Sequence, residues 1–548
     1  MTILTVDRKE LEKKVGKITK EVEEKITMMG TPVEEISDGE VSVEVFPNRP
    51  DLLSLQGFSR ALGQYLGKKG TSSIKVNKPE KDYKVKIDKS VKKVRPYTAC
   101  AIVKGLKLND EKIKEIVDIQ EKLHLTIGRK RKKLAIGIYP LEKIKLPIRY
   151  LAKKPEDIKF IPLEMNKEMT GKQILRQHPT GREYADLLKD ADVFPVFVDA
   201  DDKVLSMPPI INSHETGKIN EKTKDVFIEC SGFNLEYLKK TLNIVVSALE
   251  DMGGRIYAMD INDEKNFVSP DLEPEKMEFK IEDVNKTLGL ELGEKEIKKY
   301  LGKMGIGFSK ERGKCLALVP AYRNDVLHWV DLAEEVAIAY GYDNFEPEIP
   351  KIATIAEEDK MAVVRRGVAE VLSGLGLLEV SSFHLAKKKD VKKMHYDFKE
   401  WIEAENSKTE YSVLRIDLIS GLLKIFSENS HSEYPQKIFE LGKVFAKGDS
   451  DTGVIEQERL AVAFSDEKVS FTDLKRVLEY MFKMFGVLAE RWQIEEVENN
   501  NFISGRVGKV LVDGKEVGVI GEIAPRVLKN WGIKMPVSAF EIDLSWLS

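Results

Sequence analysis

The segment Glu346-Pro-Glu-Ile-Pro350 constrains this chain more than any other feature. Proline fixes φ, removes a backbone donor and pushes the preceding residue toward extended backbone, so neither a helix nor a central strand can run through it. A chain of 548 residues broken in this way must pack as separate bodies, and at roughly 150 residues each, three or four are expected. Gly67-Lys-Lys-Gly-Thr-Ser-Ser73 reads as a second linker. The breaks suggest domains over 1–80, 84–270, 271–349 and 355–548. With 42% hydrophobic residues these bodies can build cores and the chain is not disordered.

Several function classes drop out early. Lys+Arg is 88 against 91 Asp+Glu, a net charge of −3, which excludes a globally basic nucleic-acid coat but not a local basic patch. Cys100, Cys230 and Cys315 are far apart and form no CxxC pair, which argues against disulfides and cysteine-held zinc and fits the cytoplasm. No run of 18 apolar residues suggests a membrane helix, and the N-terminus turns charged too soon for a secretory signal. HExxH, GxxxxGK[ST] and GxSxG are absent.

Hydrophobic spacing predicts the elements. Leu11, Val15, Ile18, Val22 and Ile26 predict one amphipathic helix over 8–29. Residues 41–46 alternate like a half-buried strand, and Asp51 can cap a helix over 52–66. In the second domain, 97–103, 134–139, 193–198, 204–211 and 227–231 read as strands, and 111–126 and 234–252 as helices. Between 275 and 347, two short helices closed by Gly289 and Gly305 precede a two-strand ribbon and a third helix, a winged-helix-like order. The last domain mixes long helices with at least four strands. The predicted fold class is multidomain α+β.

Four constellations could carry chemistry. Asp331, Glu334 and Glu335 share one helix face, with Asp325 of Tyr322-Arg-Asn-Asp325 just before them. Their repulsion calls for solvent, a helix N-terminus, basic partners or a hard cation, and oxygen ligands suit Mg²⁺. Spacing alone equally describes an ordinary solvated acidic face. Second, Pro208-Pro-Ile-Ile-Asn-Ser-His-Glu-Thr-Gly217 forms a dense polar set, with Asn212, Ser213, Glu215 and Thr216 followed by Asn220, Thr223 and Glu229. Such a loop can orient a water and a polar substrate, although it can also be a plain capped connection. No nucleophile–base pair is spaced for a covalent Ser213 intermediate. Third, Arg129-Lys-Arg-Lys-Lys133, with Arg129, Lys130 and Arg131 foremost, could contact a phosphate backbone or be a solvated turn. Fourth, the last domain carries Leu414-Arg-Ile-Asp-Leu418 and Gly518-Val-Ile-Gly-Glu-Ile-Ala-Pro-Arg526 but lacks a second Gly-x-Gly spacing before its final arginine. Gripping a polyphosphate needs such guanidinium groups, so this domain is not expected to activate an amino acid with ATP.

Taken in order, Phe46-Pro-Asn-Arg-Pro-Asp-Leu-Leu-Ser54, Leu125-Thr-Ile-Gly-Arg-Lys-Arg-Lys-Lys133, Ile136-Gly-Ile-Tyr139, His178-Pro-Thr-Gly-Arg-Glu-Tyr-Ala185, Pro208-Pro-Ile-Ile-Asn-Ser213, Tyr322-Arg-Asn-Asp325, Asp331-Leu-Ala-Glu-Glu-Val-Ala337, Phe439-Glu-Leu-Gly-Lys-Val-Phe445 and Gly521-Glu-Ile-Ala-Pro-Arg-Val-Leu528 resemble the phenylalanyl-tRNA synthetase β-subunit family, in its shorter archaeal and eukaryotic-cytosolic form. The resemblance implies an α₂β₂ ligase for phenylalanine and its tRNA, with ATP used in the α subunit. It implies a last domain shaped like a class II synthetase but inactive, and Mg²⁺ at Asp325, Asp331, Glu334 and Glu335 near the α–β contact. It further implies that 84–270 hydrolyse mischarged tyrosyl-tRNA, with Asn212, Ser213, Glu215, Thr216 and Asn220 as candidates. A free-standing deacylase and a winged-helix nucleic-acid-binding protein are the alternatives.

Overall fold

The computed structural model describes residues 2–71, 73–395 and 400–547. The chain forms two compact units, Met1–Ile349 and Pro350–Ser548, divided at the proline-marked segment. It is a mixed α+β architecture with several sheets. No helix among the described residues is long and apolar enough to cross a membrane.

The first unit opens with the antiparallel order Thr2–Asp7, Glu40–Val45, Val33–Ile36. Val41, Val43 and Val45 alternate into its core. Residues 8–29 are not one helix but two, Arg8–Val15 and Lys20–Met28. Gly16 takes φ +86 between them, and Thr19 caps the second helix by accepting from Val22 N at 3.4 Å. Leu11, Val15, Ile18 and Ile26 all enter one core, so the apolar spacing runs on through the break and hides it. The next helix is Leu55–Tyr65, capped by Ser54 rather than Asp51.

Two sheets follow. A five-stranded sheet runs Val76–Asn77, Arg255–Tyr257, Tyr97–Lys104, Val226–Gly232, Leu134–Pro140. A seven-stranded sheet runs Ile211–Asn212, Val204–Met207, Phe194–Val198, Ile148–Lys153, Lys84–Ile87, Met259–Asn262, Phe267–Ser269. The central strands of the first sheet are buried on both faces, and strand parity sorts their side chains between two cores. Ala99, Ala101, Val103, Ile136, Ile138 and Ile228 pack in the core that also takes Leu238 and Leu242 of the helix Leu235–Asp251. Cys100, Ile102, Tyr139 and Phe227 join Tyr150, Phe197 and Leu205 of the second sheet. Position 229 shares the parity of 227, so a glutamate enters the space between the sheets.

The unit closes with a three-stranded antiparallel sheet, Glu275–Phe279, Lys314–Val319, Gly307–Glu311, and the helices Ile281–Leu288, Glu294–Lys303 and Trp329–Tyr340.

The second unit has a seven-stranded sheet ordered Leu378–Glu379, Gln436–Lys447, Val454–Ser465, Val537–Asp543, Lys515–Ile523, Phe502–Val512, Trp492–Glu496. Every pairing is antiparallel except the first. Alternation again feeds two cores: Phe439, Leu460 and Val462 on one face, Ile438, Ala461 and Ala463 on the other.

Candidate functional site

A cavity of about 170 Å³ opens where the edge strand Leu134–Pro140 of the five-stranded sheet meets the Ile211–Asn212 edge of the seven-stranded sheet. A cavity of about 150 Å³ accommodates a benzene ring. Its walls are largely apolar, including Ile136, Ile138, Leu163, Ile210 and Ile211, and its polar members include Asn212 and Glu229. The Tyr139 hydroxyl donates to Glu229 Oε1 at 3.2 Å and lies 3.4 Å from Asn212 Oδ1. Glu229 Oε2 is buried without a hydrogen-bond partner. Burial pushes this carboxyl up to about 8, against the pull of Arg95, Tyr139 and Ser231. At neutral pH the group is therefore a neutral acid that can both donate and accept.

Two glycines make the cluster possible. Gly137 lies opposite Glu229 in the sheet, and a Cβ there would sit 2.1 Å from the Tyr139 hydroxyl and 2.7 Å from Glu229 Oε1. A Cβ at Gly217 would sit 2.7 Å from Asn212 Cβ.

Of the polar candidates read from this loop, Asn212 and Glu229 line the cavity, together with Pro208, Pro209, Ile210, Ile211 and Gly217 of the same loop. Ser213 is buried, and its backbone N–H donates to Leu205 O at 2.8 Å. Thr216 is buried and donates to Val204 O at 3.2 Å. Glu215 points to solvent and pairs with Lys203 at 2.7 Å. Asn220 accepts from Lys222 N at 2.8 Å, and Thr223 Oγ1 accepts from Asn220 N at 3.2 Å, so both shape a turn. Tyr139, which hydrogen-bonds Glu229, and Gly137, which leaves room for that contact, were not among the site residues expected from sequence. Their signal was the Ile136-Gly-Ile-Tyr139 run, where a glycine inside a strand marks a close approach.

The basic run splits. Arg129 and Lys130 are exposed. Arg131 turns inward: its guanidinium donates to Ile210 O at 2.9 Å and to Glu121 Oε1 at 2.8 Å.

The carboxylates also come together. Asp325, Asp331, Glu334 and Glu335 line one open cavity of about 780 Å³ with Asn324 and the Pro47-Asn48 turn. Arg323 holds two of them: it donates to both Asp325 oxygens at 2.8 Å and to the Glu335 oxygens at 2.6 and 3.2 Å. Arg49 is bidentate to Asp51 at 2.9 Å and approaches Asp325 at 3.9 Å. Burial works to raise Asp325, but Arg323 and Arg49 prevail and hold it below the usual carboxylate range. Asp331 Oδ2 accepts from Leu327 N and His328 N, both at 2.7 Å. Glu334 has no guanidinium of its own: burial raises its carboxyl, and Glu335, Asp331 and Asp325 raise it further. No group of three or more metal-ligating side chains among the described residues is arranged to hold an ion. Of the four carboxylates that the resemblance implies for Mg²⁺, Asp325 and Glu335 are engaged by Arg323. Asp331 and Glu334 still fit a hard cation by donor chemistry, beside Asn324, whose buried side-chain oxygen accepts no hydrogen bond.

Comparison with known proteins fixes the family. Three family models match the chain: "Phenylalanyl tRNA synthetase beta chain CLM domain" over residues 346–544, "tRNA synthetase B5 domain" over 277–342 and "B3/4 domain" over 81–245. The phenylalanine–tRNA ligase beta subunit of Pyrococcus abyssi is 42% identical over 502 residues, covering 91% of this chain and 89% of that protein. The chain belongs to the phenylalanyl-tRNA synthetase β-subunit family. The beta subunit of Archaeoglobus fulgidus is 37% identical across 100% of this chain and 98% of its own. A solved N-terminal fragment of the phenylalanyl-tRNA synthetase beta subunit from Pyrococcus horikoshii matches with TM-score 0.59 and 36% identity, covering 62% of this chain and 99% of the fragment.

Within this β-subunit family member, the second unit's buried arginine is already committed. Arg415 donates to Glu440 Oε1 at 2.5 Å, Lys443 O at 2.7 Å and Ser382 Oγ at 3.0 Å, and is 5% exposed.

Proposed function

We propose that this chain is the β subunit of an α₂β₂ phenylalanine–tRNA ligase of the cytoplasm, and that its inter-sheet cavity hydrolyses tyrosyl-tRNA made in error by the α subunit. On this reading, 84–270 are the editing domain, 271–349 a winged-helix-like module and 355–548 a class II-like domain that does not activate amino acids. ATP is bound and used in the α subunit. The N-terminal domain, 1–80, docks on the carboxylate module through Arg49 and Asp325.

The observation that carries this reading is the neutral Glu229 beside Tyr139 and Asn212 in an apolar-walled cavity. A synthetic pocket shaped for phenylalanine cannot strongly reject tyrosine, which only adds a hydroxyl. A second site that hydrogen-bonds that hydroxyl reverses the preference. A phenylalanyl group there would leave Glu229 Oε2 and Asn212 unpaired, at about 1–3 kcal/mol for each buried group. Hydrolysis adds water to the ester carbonyl and breaks the acyl–oxygen bond to the terminal ribose, releasing tyrosine and uncharged tRNA. His124 is not the base: its Nε2 accepts from Ile136 N at 2.8 Å, which leaves the proton on Nδ1 facing Glu121. Asn212 then orients the substrate, and an oriented water is the nucleophile. Arg129 and Lys130 are the proposed tRNA phosphate contacts.

Mg²⁺ is proposed at Asp331 and Glu334, with Asp325 and Glu335 held behind them by Arg323 and the remaining ligands supplied by water or the α subunit. The ion would neutralise the carboxylates that crowd Glu334.

The test is reconstitution. The purified chain should form no phenylalanyl-adenylate, restore phenylalanine charging when mixed with its α subunit, and give the complex tyrosyl-tRNA deacylase activity. Robust ATP–pyrophosphate exchange by the chain alone would overturn the subunit assignment. Asp331→Ala with Glu334→Ala should weaken assembly with α, as should chelator; assembly unchanged by both would remove the metal.

A further inference from the structure

Three successive non-glycine residues, Arg129, Lys130 and Arg131, adopt φ of 46, 55 and 62. Left-handed backbone costs about 1–2 kcal/mol per such residue. Strain that persists beside a cavity points to something the fold holds in place. The turn is closed by Lys133 N donating to Gly128 O at 2.9 Å, and a Cβ at Gly128 would lie 2.5 Å from His124 O. Its effect is to send the last of the three side chains back toward the protein. The Arg131 side chain is only 13% exposed.

The guanidinium reaches both walls of the cavity. One end donates to Ile210 O at 2.9 Å and approaches Pro209 O at 3.4 Å, in the segment leading to Asn212. The other donates to Glu121 Oε1 at 2.8 Å on the helix Asp110–Leu125. The plane rests over the Tyr184 ring at 4.6 Å. Glu121 continues the chain to His124 Nδ1 at 3.3 Å, and His124 Nε2 takes the Ile136 N–H at 2.8 Å on the opposite strand. Burial opposes charge on Glu121, but His124 and Arg131 hold its carboxyl down to about 2, so the pair stays ionised at physiological pH. Arg131, Glu121, His124, Ile136 and Asn212 all line the same cavity.

We propose that Arg131 is a positioning residue of the hydrolytic cavity, a brace that ties the Pro209–Asn212 wall to the helix and strand carrying Ile136, and so fixes Asn212 against Tyr139 and Glu229. It does not touch the reacting ester. A fork with several donors can hold a carboxylate and backbone carbonyls at once, which a lysine ammonium cannot do in one plane. The inference rests on the editing reading above.

The test uses the full chain in complex with its α subunit, with preformed tyrosyl-tRNA as substrate. Arg131→Met should lower the deacylation kcat by at least about tenfold, toward the roughly hundredfold cost of a 1 Å misplacement, with KM and phenylalanine charging kept. Arg131→Lys should recover part of kcat, and Glu121→Gln should reproduce much of the Arg131→Met defect without adding to it in the double variant, the mark of two groups acting as one. These two milder variants keep the test decisive if Arg131→Met fails to fold. A raised KM with kcat kept, and a salt slope shallower by about one, would make Arg131 a tRNA phosphate contact and overturn the brace. Full additivity of the two substitutions would also overturn it. If the unaltered complex does not deacylate tyrosyl-tRNA at all, the editing reading itself fails, an outcome separable from wild-type editing with an unaffected Arg131→Met variant.

Discussion

The two acidic sites of the first unit bury carboxyls under opposite rules. Glu229 has Arg95 as its nearest counter-charge but no hydrogen bond from it, and burial leaves the acid neutral near physiological pH. Asp325 is largely buried, and Arg323 forks onto it at 2.8 Å and keeps it charged. What separates the two sites is a guanidinium within hydrogen-bond reach. Removing water raises a carboxyl, and a directly bonded cation more than reverses it. The first arrangement yields a discriminating hydrogen-bond partner, and the second a surface that stays anionic toward a cation or partner chain.

The most severe way to break this contrast is to take the cation away. Arg323→Met leaves Glu335 buried without its guanidinium and Asp325 with only Arg49 at 3.9 Å, and breaking such a set costs about 3–5 kcal/mol. The urea midpoint of the chain should fall accordingly. Adding Asp325→Asn and Glu335→Gln should recover most of that loss, because the penalty comes from the stranded charges. If the triple variant is as unstable as the single one, the loss lies in packing and the charge argument fails.

Glu229 gives the converse test. Glu229→Ala should slow tyrosyl-tRNA deacylation by about tenfold to a hundredfold, the kinetic equivalent of about 1–3 kcal/mol of lost hydrogen bonding. Glu229→Gln keeps a neutral donor and acceptor and should stay within a few-fold of the unaltered chain. Because folding raises this carboxyl, its proton favours the folded state. That contribution is complete below the ordinary carboxylate range and is lost as pH rises through about 8. Deacylation and melting temperature should both decline across that range, and Glu229→Gln should remove this component of each. A decline that persists in Glu229→Gln would assign the titration to another group. Gly137→Ala should act through the same cluster, by driving the Tyr139 hydroxyl off Glu229, and slow deacylation while phenylalanine charging is kept.

How much of this was legible from sequence depended on the range of the physics involved. Continuous burial made strands such as Tyr97–Lys104 and Val226–Gly232 readable, because a strand covered on both faces reads as a short unbroken run of mostly apolar residues. Helix spacing likewise brought Asp331, Glu334 and Glu335 to one face. The counter-charge of Glu335, Arg323, stands just before the helix Trp329–Tyr340, yet spacing could not say that this side chain turns onto Asp325 and Glu335 rather than outward. The cavity was harder still. Tyr139, Asn212 and Glu229 come from three strands in two different sheets, and no local pattern joins them. Arg131 read as one more member of a basic run because its direction depends on left-handed backbone, which arginine gives no compositional sign of favouring.

The smallest predicted effect is also the sharpest check on that reading. Glu215 sits only three residues beyond Asn212, and sequence proximity alone would grant both a role. The structure puts its carboxylate in solvent against Lys203, with both side chains largely exposed. Exposed pairs of this kind contribute little, because water and salt screen them and two long side chains must be ordered to form them. Glu215→Ala should leave melting temperature and tyrosyl-tRNA deacylation unchanged, while Asn212→Ala slows deacylation. A deacylation defect in Glu215→Ala comparable to that of Asn212→Ala would mean that the substrate's recognition extends out of the cavity along the loop, and that Glu229 and Tyr139 are only part of the site.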